Sequence, residues 1–283
     1  MNPVKAQGSA VRKKATARRR DVMSSTLRCL QALELLAAEP HQYSLSDIAS
    51  RLGLSMSSAH RIINTLVVGG LVAHDVVHKR YCVAGKALWI GCAYLRHSPL
   101  YRTSFAALEN LARKSKTMAH LAVWDEDCVL YLHTVGPPRS PHLFSDTGER
   151  RPVHATALGK AMLAYRPAAD LARIFSRPLE RLTEKTITDR AAMEEELARI
   201  REQGYALDDG ECVRAMRCVA VPIRDASASV VGAISVSASR NDITYANAGE
   251  YARLVQEAAL RVSIHLGHRP PTANLSSLLA TFA

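Results

Sequence analysis

With 283 residues, 48% of them apolar, and a formal net charge of +11, the chain is long enough for two cored domains and favours an anionic partner. No run of about 18 apolar residues occurs, which argues against a transmembrane helix, and no apolar h-region follows the basic start, which argues against a signal peptide. Six cysteines (Cys29, Cys82, Cys92, Cys128, Cys212, Cys218) show neither a CxxC pair nor a disulfide rhythm, so a cytoplasmic protein without cofactor is expected.

Between Met1 and Arg20 stand seven basic residues (Lys5, Arg12, Lys13, Lys14, Arg18, Arg19, Arg20) and no acidic one. Residues 1–23 therefore read as a disordered basic tail, which either adds salt-sensitive DNA affinity or is a solvated extension. Thr26 to Leu36 has the periodicity of a leading helix, ended by Pro40. Leu45, Ile48, Ala49 and Leu52 then share one face of a short helix that Ser44 and Asp47 begin with capping-box spacing. Gly53 permits a tight turn, and Ser55 caps a second helix with Ala59, Ile62, Ile63 and Leu66 inward. Its opposite face carries Ser57, His60, Arg61 and Asn64, short or planar hydrogen-bonding groups suited to base edges and phosphates in a major groove.

Gly69 and Gly70 end that helix. Leu71–His74 and Arg80–Val83 read as strands around an Asp75–Lys79 turn, so His78, Lys79 and Arg80 cluster at a hairpin tip. Residues 24–84 thus have the layout of a winged helix-turn-helix, with Ser55, Ser57, Ser58, His60, Arg61, Asn64, His78, Lys79 and Arg80 as candidate contacts to double-stranded operator DNA. Two alternatives stay open: a three-helix unit that contacts protein, and an Arg61 salt bridge to Asp47 instead of a DNA contact.

Residues 85–99 read as a linker helix whose Lys86–Arg96 stretch is apolar on more than one side, so a partner subunit or the next domain should cover it. Pro99 marks a break. From Leu100 the pattern mixes a helix over 103–114, strands over 118–124 and 128–135, and an irregular link through Pro137, Pro138 and Pro141 to His142-Leu-Phe. A short helix over 156–165 follows, then a longer one over 189–203 stopped by Gly204. A hairpin over 219–237 and a helix over 245–266 complete an α+β domain at 100–268, with 269–283 as a tail.

The Ser44–Leu66 helix-turn-helix, the Arg151–Ala164 string RPVHATALGKAMLA, the Gly204–Cys212 string GYALDDGEC, and Arg217–Pro222 followed by Gly232–Ser237 together resemble the IclR family of transcription regulators over roughly Ser24 to Gly267. The resemblance implies a GAF-like effector-binding domain behind the winged helix, assembly as a homodimer or homotetramer, and no enzymatic activity. It also implies an effector pocket holding Ala157, Leu158 and Gly159 from one element, Asp208 from a second, and Met216 and Cys218 from a third. Gly210 stands where the family often has an acidic residue.

Read from the residues themselves, helix amides after Ala155, near Gly159, suit a carboxylate, and Leu158 and Met216 supply an apolar wall. A small organic acid, aromatic or short aliphatic, is the expected effector; the alternative is that His154–Lys160 is a packing motif. Two rival chemistries are weaker. A nucleophile reading uses Cys212 or Cys218 with His154 and Asp208 or Glu211, without a supporting local motif. A zinc reading gathers His154, Cys212, Cys218 and His120 or His133, without a recognised ligand spacing.

Overall fold

The computed structural model describes residues 23–39, 43–136 and 147–270. The basic tail, Pro40, the proline link with His142-Leu-Phe, and the end of the chain from 271 lie outside the described residues. The chain divides into two compact units, Met1–Tyr94 and Leu95–Ala283.

In the first unit α1 spans Ser24–Ala38, α2 Leu45–Arg51 and α3 Met56–Val68. The capping box forms: Ser44 N–H donates to Asp47 Oδ2 at 2.9 Å, and Asp47 N–H to Ser44 Oγ at 3.3 Å. Gly53 makes the turn at φ +62°, a left-handed geometry that a side chain would strain. Ala32, Leu36, Ile48, Ile63, Leu66 and Val72 share a core, with Leu45, Leu52 and Ile62 packed at its margin. Strands β1 (Val72–Asp75) and β2 (Arg80–Val83) pair antiparallel from Val72↔Val83 to Asp75↔Arg80. Tyr81 N–H donates to Tyr43 O at 3.0 Å, tying the hairpin to the α1–α2 connection. Helix α4 (Gly85–His97) buries no residue, leaving Leu88, Trp89, Ile90 and Tyr94 exposed.

The second unit is a six-stranded antiparallel sheet in the order β5-β4-β3-β8-β7-β6. Its strands are β3 Met118–Asp125, β4 Cys128–Val135, β5 Arg150–Pro152, β6 Ala206–Asp208, β7 Met216–Arg224 and β8 Val230–Ser239. Helices α5 (Pro99–Ser115) and α9 (Ala248–His265) cover one face over Leu121, Val219, Val221, Ile234 and Val236. Helices α6 (Ala157–Leu163), α7 (Ala168–Ile174) and α8 (Arg190–Gln203) cover the other over Ala122, Tyr131, Ala220 and Ala233. A cavity opens between this second face and α6.

Several bounds differ from the sequence expectation. Pro99 marks the break expected between two helices, α4 ending at His97, but α5 starts at Pro99 itself and not at 103, since the first helical position needs no N–H donor. Ser98 Oγ accepts from Tyr101 N–H at 3.2 Å as its cap. The last helix starts at Ala248, not 245, because Asn247 Oδ1 takes the Thr244 N–H at 2.7 Å in a local turn. Strands β5 and β6 and helix α7 were not anticipated; each is three to seven residues long, too short for a periodic signal.

Candidate DNA-binding face and effector cavity

On α3, Ser57, His60, Arg61 and Asn64 are exposed, opposite buried Ala59, Ile63 and Leu66. Ser55 and Ser58 serve the helix start: Ser58 N–H donates to Ser55 Oγ at 3.3 Å, and Ser55 Oγ donates to Ser58 Oγ at 2.9 Å. Arg61 makes no ion pair among the described residues, because the Asp47 carboxylate is taken up by Ser44, whose hydroxyl donates to it at 2.7 Å. Asp47 is held below the usual carboxylate range by those Ser44 bonds, with help from the charges of Arg80 and Arg51.

At the hairpin tip His78, Lys79 and Arg80 are exposed. His78 is not idle there: its Nδ1 lies 2.7 Å from Asp75 Oδ2, and its ring bond is the main cause holding the Asp75 carboxyl low. Lys79 has φ +53° and turns the chain back into β2.

In the second unit one recess, partly open to solvent, lies between α6 and the sheet. Ala157 and Leu158 line it from α6, Asp208 from β6, Met216 and Cys218 from β7. These five are brought together in one recess. Gly159, the sixth expected residue, does not reach the cavity. It sits against the turn below, where an added Cβ would lie 2.2 Å from Val153 O. Its N–H donates to Thr156 Oγ1 at 3.0 Å, so it has no donor left for a ligand carboxylate. The glycine is required for close backbone approach, a packing role.

The rest of the wall was not read from the sequence as one site: His120, Tyr131, Arg151, Thr156, Cys212, Val213, Ser235 and Ser237. His120↔Ser235 is a cross-strand pair, so the polar residues of β3 and β8 fall on the cavity face. The His120 ring lies 2.7 Å from Ser237 Oγ and 3.1 Å from Thr134 Oγ1, and burial pulls its pKa down to about 4, so it is neutral. Arg151 supplies the cavity's cation and pairs with Glu149. Asp208 supplies its carboxylate: burial pushes it up to about 6, against the pull of Lys160 and of backbone N–H groups that include Glu211 at 2.7 Å.

Beneath this wall Lys160, fully buried, donates to Leu207 O at 2.7 Å, Glu211 Oε1 at 2.5 Å and Glu196 Oε1 at 3.2 Å. The neighbouring Asp209 turns the other way. It accepts from Arg217 Nε at 2.8 Å and from Tyr245 Oη at 2.5 Å, and it pairs with Lys185.

Neither rival chemistry is assembled. Burial pushes the Cys212 thiol up to about 12 and the Cys218 thiol well above its ordinary range, so both are protonated thiols rather than nucleophiles. His154 bonds Glu180 O at 3.0 Å in a separate recess lined by Asp127, Cys128 and Arg177. His133 stacks on Phe105 of α5 at 5.0 Å, across the sheet from His120. No group of three or more His, Cys, Asp or Glu is placed to hold a metal among the described residues, and none of their helices is long and apolar enough to cross a membrane.

Residues 25–76 match the IclR helix-turn-helix domain, and residues 92–264 match the bacterial transcriptional regulator IclR C-terminal domain. The HTH-type transcriptional regulator BhcR of Paracoccus denitrificans is 34% identical over 86% of this chain and 87% of its own length. An IclR transcriptional regulator from Alicyclobacillus acidocaldarius superimposes with a TM-score of 0.77 at 25% identity, over 87% of this chain and 100% of that one. An IclR homologue from Microbacterium hydrocarbonoxydans, solved in complex with 4-hydroxybenzoate, gives 0.73 at 25% identity, over 86% and 99%. With both domains matched in order and the second alone covering more than half of the sequence, the chain belongs to the IclR family of transcriptional regulators, DNA-binding proteins that are not enzymes.

Proposed function

We propose that this regulator reads operator DNA as a cytoplasmic dimer or tetramer and is switched by a small organic acid held in the α6–sheet cavity. The observation that carries the effector half is the chemistry of the wall: one cation, Arg151, and one buried carboxylate, Asp208, with Leu158, Val213 and Met216 as apolar surface and the hydrogen-bonding groups of His120, Ser235 and Ser237 on the sheet side. Arg151 suits a carboxylate, the apolar side chains suit a hydrocarbon or ring, and Asp208 accepts from a ligand hydroxyl. The 4-hydroxybenzoate bound by the Microbacterium homologue has both groups.

On the DNA side, Ser57, His60, Arg61 and Asn64 read base edges and phosphates, with the cationic wing alongside. Exposed Leu88, Trp89, Ile90 and Tyr94 on α4 supply the contact between copies. Switching is a population shift, in which effector binds one arrangement of the assembly more tightly than the other.

The test is a thermal-shift and gel-shift titration of the full chain with benzoate, 4-hydroxybenzoate, pyruvate and lactate, repeated on D208N. An acid that raises the melting temperature of the wild type, alters DNA affinity, and does both less in D208N supports the reading. Binding that is indifferent to D208N removes Asp208 from the site. No response to any acid rejects the effector class and favours a regulator whose second domain only oligomerises.

A further inference from the structure

The connection between β6 and β7 borders two recesses. Val213 and Met216 line the effector cavity, whereas Arg214 and Ala215, which stand between them in sequence, line a second recess with Arg217, Ser239, Arg240 and Asn241. Three of those six residues are arginines and none is acidic. Its one apolar side chain is the methyl of Ala215, so this recess selects charge and hydrogen bonding, not a hydrocarbon.

The nearby carboxylates do not neutralise these cations. Asp209 is shared by Arg217, Arg240 and Lys185, three cations on one carboxylate, which leaves two positive charges in excess. Arg214 pairs with Glu184 at 2.7 Å, but the two side chains are 75% and 56% exposed, and a pair so placed is screened by water and contributes little. Asp242 is taken up by Ser239, whose Oγ donates to it at 2.6 Å, and does not line the recess.

The site combines a fixed cation with an unsatisfied one. The Arg217 side chain is 4% exposed; its Nη1 donates to Ile243 O at 2.6 Å, and its guanidinium carbon lies 4.2 Å from the centre of the Tyr245 ring. Arg240 is anchored to the β6–β7 connection by its backbone N–H, which donates to Ala215 O at 3.0 Å. Its buried Nε lies 3.2 Å from Asp209 Oδ1 yet makes no hydrogen bond, and a buried donor left so is costly. An anion in the recess supplies the acceptor that this guanidinium lacks. Guanidinium groups match phosphate oxygens in bidentate geometry, and a phosphate monoester carries about −1.5 to −2 at neutral pH, equal to the excess, where a carboxylate supplies half of it.

We infer that Arg214, Arg217 and Arg240 form a second ligand site, separate from the effector cavity, for a phosphate dianion, free or as the terminal group of a small phosphorylated metabolite.

The experiment is isothermal titration calorimetry of the full chain at mildly alkaline pH, with ionic strength held constant by chloride. The probes are inorganic phosphate, methyl phosphate, dimethyl phosphate and acetate, against wild type, R214Q, R240Q and R151Q. Inorganic phosphate should bind once per chain, and the two monoanions, dimethyl phosphate and acetate, roughly tenfold more weakly or not at all. R214Q and R240Q should each weaken phosphate binding roughly tenfold. Arg214 is exposed, so R214Q should melt as the wild type does and keeps the test decisive even where R240Q misfolds. Methyl phosphate binding as well as phosphate supports the site with an ester as its ligand; weaker binding supports it with the free ion.

Absence of phosphate binding by the wild type overturns the proposal, and so does acetate or dimethyl phosphate binding equally well. Phosphate affinity unchanged in R214Q and R240Q overturns it too. Binding that is lost in R151Q but kept in the other two places the anion in the effector cavity and rejects a second site.

Discussion

Lys160→Met is the sharpest test of how the second unit is held together. Methionine nearly matches the lysine stem in volume, so the change removes the charge and little packing. What it leaves behind is Glu211, with a side chain 7% exposed, and Glu196 at 9%, the latter still served by Arg199 Nη1 at 2.5 Å. Breaking a buried ion pair from one side costs about 3–5 kcal/mol, because the remaining charge is uncompensated. In a unit of this size about 1 kcal/mol moves the midpoint by roughly 2–4 °C, so calorimetry of the full chain should show the second unit melting about 6–20 °C lower.

The penalty should depend on pH in a defined direction. Burial raises the Glu211 carboxyl from 4.5 to about 7, Lys160 pulls it down, and Asp208 pushes it up. A carboxyl raised in the fold contributes stability that is complete below its unfolded value of 4.5 and lost as pH rises through about 7. Without Lys160 that folded value climbs further, so Glu211 is protonated at mildly acid pH and the K160M penalty shrinks there, growing again towards mildly alkaline pH. K160M/E211Q should recover part of the loss. A K160M penalty under about 1 kcal/mol, a penalty flat with pH, or no recovery in the double variant would refute the account of a charge-compensated triad.

R61A should weaken binding to a duplex that the full-length protein selects from a random-sequence pool by about 1–3 kcal/mol in a gel shift, with the melting temperature unchanged, since Arg61 is exposed and makes no ion pair among the described residues. G159A should destabilise the second unit by about 3 kcal/mol or more in chemical denaturation, because the new methyl must displace Val153 backbone rather than a flexible side chain. T156A should cost about 1–2 kcal/mol in the same assay, since it strands the Gly159 N–H in a site where Thr156 is 3% exposed.

The winged helix was legible because its determinants are local. Ser44 with Asp47, Gly53 at positive φ, Ser55, and the Ala59–Ile63–Leu66 stripe all act within a few residues, and the observed α2–turn–α3 follows them closely. The cavity was less legible because strand register brings its wall together. His120, Tyr131, Ser235 and Ser237 come from three strands, and only the pairing of β3 with β4 and β8 places them on one face. A trace of that was in the sequence: Ser235 and Ser237 alternate with Ile234 and Val236, polar residues on a regular face of a buried strand. Arg151 gave no such signal, since β5 is three residues long and its role depends on the β4 edge.

The misplacement of Gly159 has a more general reason. The string around it is shared by the cavity and by the frame beneath it. Helix α6 turns Ala157 and Leu158 toward the ligand space, while Gly159 and Lys160, one step further round, face Val153 and the Glu196–Glu211 pair. Asp208 and Glu211 divide in the same way across the next turn, the first lining the cavity and the second closing on Lys160. Each frame residue fills a backbone contact or a buried charge. A motif that reveals the family therefore carries cavity and frame together: Arg151, Cys212, Ser235 and Ser237 line the cavity from within the same strings that supply Gly159, Lys160 and Glu211 to the frame, so which of the two a residue serves follows from the fold and not from the string.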